Sequence, residues 1–255
     1  KGWRKGAMVV TLGAYGDEWR KEFKKHWESL GGEILADKPA NYYTETDFSA
    51  QLAAALATNP EFMLIGGPSD PTALVIEQAR NLGFKGGFIL VDQAKMNYIA
   101  EVGFNGDLSQ MNNLIGVART LDIGPRHLME EFKAKYKEAY GGIATSENVL
   151  NYAAMRMLAA AMEEAGTVDD TAAIKAAFPK VLPMKPEVNP IAYVGIMKTR
   201  MKVPGTIQVI ENSAFQTPIQ SIWWPKSEEA YQKVVEMIPE REVISKYLPL
   251  EGYAK

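Results

Sequence analysis

The chain has 255 residues, enough for one large domain or two small lobes. Its 28 Lys+Arg against 31 Asp+Glu are too balanced for a nucleic-acid footprint, and 47% apolar residues are ordinary for a soluble globular protein. Cysteine is absent and histidine is limited to His26 and His127, which excludes disulfides and thiolate chemistry and argues against any metal centre or metal cofactor.

Lys1, Arg4 and Lys5 lead straight into Ala7–Leu12. That run is shorter than the ~7–15 apolar residues of a secretory signal, so it predicts a first strand, with any targeting segment absent from this chain. Asp17 and Glu18 open a predicted helix with Trp19, Phe23, Trp27 and Leu30 on one face, stopped by Gly31-Gly32. Glu33–Ala36 predicts a second strand. Asp47 caps a helix burying Phe48, Leu52 and Leu56, and Phe62–Ile65 predicts a third strand running into Gly66-Gly67. Ser69-Asp70-Pro71 supplies a cap and a proline at the first helical position for a helix through Val75, Ile76, Ala79 and Leu82. Phe88–Val91 predicts a fourth strand with Asp92 at its end. This alternation predicts an α/β fold, a parallel sheet with helices on both faces.

After Val117 the rhythm changes. Pro125 to Tyr140 and Glu147 to Ala165 predict two long helices, and Asp169/Asp170 start a third reaching Phe178. Pro179, Pro183, Pro186 and Pro190 read as a linker, followed by strands at Ile191–Met197, Thr206–Ile210 and Gln220–Trp224 and a helix capped by Ser227. The helices lack an obvious sheet to pack on. The expected organisation is an α/β core at 1–118, a helical segment at 119–190, and returning strands with a C-terminal helix at 191–255.

Open parallel sheets bind ligands beyond the carboxyl ends of their strands. Those ends here are Gly13-Ala14-Tyr15-Gly16, Gly66-Gly67-Pro68-Ser69 and Val91-Asp92-Gln93. They offer a ring, backbone amides, a hydroxyl and a carboxylate, a set suited to a small polar ligand carrying positive charge. Each residue alone has a plainer reading: Tyr15-Gly16 as a strand-to-helix turn, Ser69 as a helix cap, Asp92 as a solvated or capping carboxylate. Their occurrence at one sheet edge makes the signal. No GxGxxG, P-loop or Gly-x-Ser-x-Gly pattern follows a strand. His26 and His127 read as surface residues, Glu163-Glu164 and Asp169-Asp170 as helix ends, and Trp223-Trp224 as one ring in and one out.

The stretches Leu12-Gly-Ala-Tyr-Gly-Asp-Glu-Trp19, Thr46-Asp-Phe-Ser-Ala-Gln-Leu52, Phe62-Met-Leu-Ile-Gly-Gly67 and Glu77-Gln-Ala-Arg-Asn-Leu-Gly-Phe-Lys85 resemble the second lobe of type I periplasmic binding proteins. The similar group is the Leu/Ile/Val-type, amino-acid-binding component of ABC transporters, and the likeness continues more loosely to residue 224. It implies a non-catalytic, extracytoplasmic protein that traps an amino-acid-like ligand between hinged lobes and delivers it to an ABC permease. It also implies a ligand contact at Tyr15, and with the strand ends the expected ligand-binding set is Ala14, Tyr15, Gly67, Pro68, Ser69, Asp92 and Gln93. Asp92 stands where the family binds the ligand's amino group, whereas Pro68-Ser69 replaces a frequent aromatic. The family's first lobe precedes the matching region, so the chain is expected to be incomplete at its N-terminus. Its helix faces are then expected to need a partner, the missing lobe in trans or a second copy. Two rival readings are a sensory domain of the same fold and, last, a flavodoxin-like enzyme using Asp92 as a base.

Overall fold

Ala7, Met8, Val9 and Val10 are fully buried and make up most of β1 (Lys5–Val10). A strand apolar on both faces belongs inside a sheet covered on both sides. β1 lies between β2 (Glu33–Asp37) and β3 (Phe62–Gly66), parallel to both. β4 (Gly87–Leu90) continues in parallel from β3, and β5 (Leu114–Val117) from β4. The order is therefore β2-β1-β3-β4-β5. This computed structural model describes residues 1–118, 126–142, 144–184, 189–191, 193–197, 200–222, 224–237 and 244–247. They fall into two compact units, 1–118 with 207–217 and 119–206 with 218–255.

In the first unit α1 (Ala14–Ser29) links β1 to β2, α2 (Ser49–Leu56) links β2 to β3, and α3 (Ser69–Asn81) links β3 to β4. Right-handed crossovers place α1 on one face and α2 and α3 on the other, where the latter two touch each other. The core joins Met8 and Val10 to Phe48 just before α2, Leu52 of α2, and Val75, Ile76 and Ala79 of α3. On the α1 face the Phe62 ring meets Trp27 edge-on at 4.8 Å and stacks with Trp3 at 5.7 Å. After β4 the chain makes a short turn, α4 (Met96–Tyr98), before β5.

Several boundaries move from their sequence positions. α1 starts at Ala14, three residues before Asp17, because Gly13 at φ +97° turns the chain directly out of the strand. Leu30, expected on the apolar face, is 62% exposed, since the helix has ended and Gly31 at φ +80° turns away. Asp47 falls one residue before the cap position of α2, which Phe48 occupies, and still accepts the Ser49 N–H at 2.9 Å. α3 begins at Ser69, with Pro68 in the cap position and no side-chain cap, so Pro71 falls third rather than first. The sheet is parallel only as far as β5. The strand Gly205–Glu211 runs antiparallel to β5, with Leu114 opposite Ile210 and Val117 opposite Ile207. Asn212 and Ser213, both at positive φ, turn the chain tightly back into Ala214–Phe215.

The second unit holds α5 (Arg126–Tyr140), α6 (Ser146–Ala165), α7 (Thr171–Ala177) and α8 (Glu228–Glu236). Among the described residues of this unit α5 and α6 cover each other, and Met129, Val149, Ala153 and Met157 pack with Met184, Ile191 and Tyr193. The strand expected over Ile191–Met197 shrinks to Ile196–Met197, paired with Arg200–Met201. Buried Asn189 takes the place of a ladder, accepting the Ile191 N–H at 3.1 Å and donating to the Ala153 carbonyl at 3.0 Å. Ile219–Ile222 pairs in parallel with Ile244–Tyr247. Ser227 caps α8 as its sequence predicts, and Asp170 caps α7. α6 keeps a second apolar side open, with Leu150 and Met155 exposed. The Trp224 ring is buried; Trp223, Pro186 and the side chain of His127 lie outside the described residues.

Candidate ligand-binding site

In a sheet ordered β2-β1-β3-β4-β5, connections leave β1 and β3 toward opposite faces, and the loops after these strands part to form a crevice. Glycines let the surrounding loops close in. A Cβ on Gly16 would lie 1.8 Å from the Thr11 carbonyl oxygen, so only glycine lets α1 start this close to the end of β1. Gly66, at φ +129°, sits where a Cβ would press on Val91 beyond β4 at 2.8 Å.

Three predicted residues meet directly at this edge. The Tyr15 hydroxyl donates to Asp92 Oδ1 and accepts the Gln93 backbone N–H at 3.1 Å. The first turn of α1 is thereby tied to the loop after β4, across β3. Burial, reinforced by the hydrogen bond to Asp92, raises the Tyr15 hydroxyl well above the ordinary tyrosine range, so it remains a protonated donor. Asp92 and Gln93 are exposed and Tyr15 is half-buried, so the carboxylate faces open space.

Ser69 joins the same edge by a different bond. Its Oγ accepts the Lys95 backbone N–H at 3.0 Å, pinning the start of α3 to the loop after β4. The cap reading of Ser69 is thus corrected, because a residue already inside the first turn cannot cap it. Gly67 donates its N–H to Thr72 Oγ1 at 3.3 Å, and Pro68 accepts from the same hydroxyl at 2.7 Å. Ala14 is exposed at the first position of α1. Trp19, read from sequence as a packing residue alone, also belongs here: its indole Nε1 donates to Asp92 Oδ1 at 3.1 Å. The i, i+4 spacing from Tyr15 was the available signal. Among the described residues, no group of three or more His, Asp or Glu is placed to hold a metal ion, and no helix is long and apolar enough to cross a membrane.

A family model described as periplasmic binding protein matches residues 1–190. The chain belongs to the periplasmic binding protein family. That family comprises periplasmic or extracellular solute-binding proteins and is not an enzyme family. Solved structures with the same type I fold include a leucine binding protein from Thermotoga maritima MSB8, at 24% identity and TM-score 0.66, covering 84% of this chain and 59% of that one. A branched chain amino acid ABC transporter periplasmic ligand-binding protein from Burkholderia xenovorans LB400 aligns at 14% identity and TM-score 0.66, over 92% of this chain and 62% of that one. A branched-chain amino acid transporter substrate binding protein from Streptococcus pneumoniae, solved with isoleucine, aligns at 16% identity and TM-score 0.62, over 84% and 59%. The chain therefore spans 59–62% of the length of these three structures. No curated protein matches it.

Proposed function

We propose that this chain takes part in capturing a small amino acid or related carboxylate outside the cytoplasm for an ABC importer, binding the ligand's ammonium group at Asp92. The observation that carries the reading is the network joining Asp92, Tyr15 and Gln93 at the open carboxyl edge of the sheet. An exposed carboxylate held by neighbouring donors is pre-oriented for a charge-assisted hydrogen bond to a cation. Ser69 supplies a hydroxyl at the same edge, Ala14, Gly67 and Pro68 shape its walls, and residues 1–118 act as the ligand-recognising unit. The branched-chain amino acid proteins among the structural neighbours make leucine and isoleucine the first ligands to try.

Isothermal titration of the chain with L-leucine, L-isoleucine and 4-methylpentanoate, which has no amino group, tests this. Wild type should bind an amino acid and reject the deaminated analogue. Asp92→Asn should weaken amino-acid binding by about 30-fold, the scale of losing a charged hydrogen-bond partner. Equal affinity of wild type and Asp92→Asn for every amino acid tried would overturn the assignment.

A further inference from the structure

Asp92 uses its two carboxylate oxygens unequally. Oδ1 accepts two hydrogen bonds from one face of α1, from the Tyr15 hydroxyl and from the Trp19 indole Nε1 at 3.1 Å. The donors stand four residues apart, one helical turn, so the helix itself sets their separation. No donor among the described residues reaches Oδ2. We infer that Trp19 is the positioning residue that turns Asp92 into a one-oxygen acceptor, and that the site thereby selects a primary ammonium over a guanidinium. This inference rests on the functional reading above and narrows its ligand class.

The selection follows from donor geometry. A guanidinium binds a carboxylate best as a fork, with parallel N–H groups on both oxygens. With Oδ1 already filled by two donors, that fork has only one tine to seat. An ammonium is a compact charge whose donors rotate, and one oxygen satisfies it. Trp19 suits the holding role because an indole N–H only donates and keeps its state across the physiological pH range. Its ring packs against the core of the first unit, so the donor is fixed before any ligand arrives. Tyr15 alone would leave the carboxylate free to swing about a single bond, whereas two donors on one oxygen fix which oxygen faces outward.

The test compares wild type, Trp19→Phe and Asp92→Asn by titration with L-leucine and Nα-amidino-L-leucine, the same ligand with a guanidinium in place of its ammonium. Phenylalanine keeps an aromatic ring against the core and removes the N–H together with part of the ring area. Wild type should prefer leucine strongly. Trp19→Phe should weaken leucine binding about tenfold, the order expected for one hydrogen bond to a charged group, and should lose about tenfold of the preference over the amidino compound. An unchanged preference in Trp19→Phe, with Asp92→Asn still impaired, would overturn the role of Trp19 and leave the Asp92 reading standing. If wild type and Asp92→Asn bind leucine alike, or neither binds, the functional reading fails and this inference falls with it. A second measurement does not depend on Trp19→Phe folding. The Trp19 indole proton should resonate downfield and exchange slowly in wild type, and lose both features in Asp92→Ala. An indole signal indifferent to Asp92→Ala would also overturn the proposal.

Discussion

Tyr42 shows how one side chain ties the core to the site. Its hydroxyl is buried, donates to the Val9 carbonyl at 2.6 Å and accepts the Gly66 N–H at 3.3 Å, bracing the ends of β1 and β3. Burial pushes this hydroxyl well above the usual range for tyrosine, and Tyr15 is displaced the same way. Because the folded state disfavours the phenolate, the stability due to these groups is complete below the unfolded value of ~10 and is lost as pH rises beyond it toward the folded value. Absorbance at 295 nm should therefore show a part of the tyrosine signal, that of Tyr42 and Tyr15, ionising only as the chain unfolds at high pH. Tyr42→Phe should shrink that late fraction, and a single normal titration of all tyrosines in the folded protein would contradict the burial argument. Arg80 makes a second prediction. Its guanidinium donates to the carbonyls of Phe84, Gly86, Gln110 and Asn112 and lies 4.5 Å from the centre of the Phe88 ring. Burial lowers its pKa to about 10, which leaves it charged at neutral pH. Arg80→Met retains stacking bulk but strips four carbonyls of their donor, and should cost about 2–4 kcal/mol in urea unfolding. A loss below 0.5 kcal/mol, on the scale of an ordinary surface substitution, would show that water replaces the guanidinium freely.

Elements differ in how much of their structure is written locally. β1, β3, α2 and α3 were legible because each joins a periodic apolar pattern to nearby turn residues, and their shifts are only a few residues. β5 was missed because Leu114-Ile-Gly-Val117 is four residues long with a glycine inside, and its pairing with β4 and Gly205–Glu211 is long-range. The reverse error, at Ile191–Met197, arose because an apolar run reads as a strand even where Asn189 satisfies the backbone instead. The site divides likewise. Tyr15, Ser69 and Asp92 were visible as the ends of predicted strands and starts of helices. Trp19 was hidden because a tryptophan on an apolar face is accounted for by packing, and its bond to Asp92 depends on the depth at which α1 begins. Where local chemistry does decide, its worth can be measured. Asp170 Oδ1 accepts the N–H groups of Ala172 and Ala173, both at 3.0 Å, in a seven-residue helix with little else to start it. Asp170→Ala should cost about 1 kcal/mol and speed amide exchange through α7, leaving β1 and β3 unaffected. Unchanged exchange in α7 would mean that Ile174 and Ala177, packed beside Ala161, hold the helix without its cap.

The two units distribute their apolar burial differently across the whole molecule. In the first, one cluster runs from Ala7 through Phe48, Ile76 and Leu114 to Ile210, so no strand of the sheet can leave without opening it. In the second, the described apolar side chains sort into separate clusters, around Met157, around Trp224 and around Ile174. A contiguous core unfolds as one cooperative body, whereas small clusters open in pieces at lower free energy. Native-state hydrogen exchange should accordingly find the amides of Met8–Val10 and Met63–Ile65 exchanging last, in a single group, with α6 and α7 exchanging earlier through partial openings. A ligand held at Asp92 adds stability only to states in which its site is formed. A hundredfold excess over its dissociation constant contributes ~2.7 kcal/mol. L-leucine at that level should thus slow the Met8–Val10 group while leaving the partial openings of α7 at their original rate. Equal slowing of both groups would mean that the units open together, and slowing of neither would remove leucine from the ligands of this site.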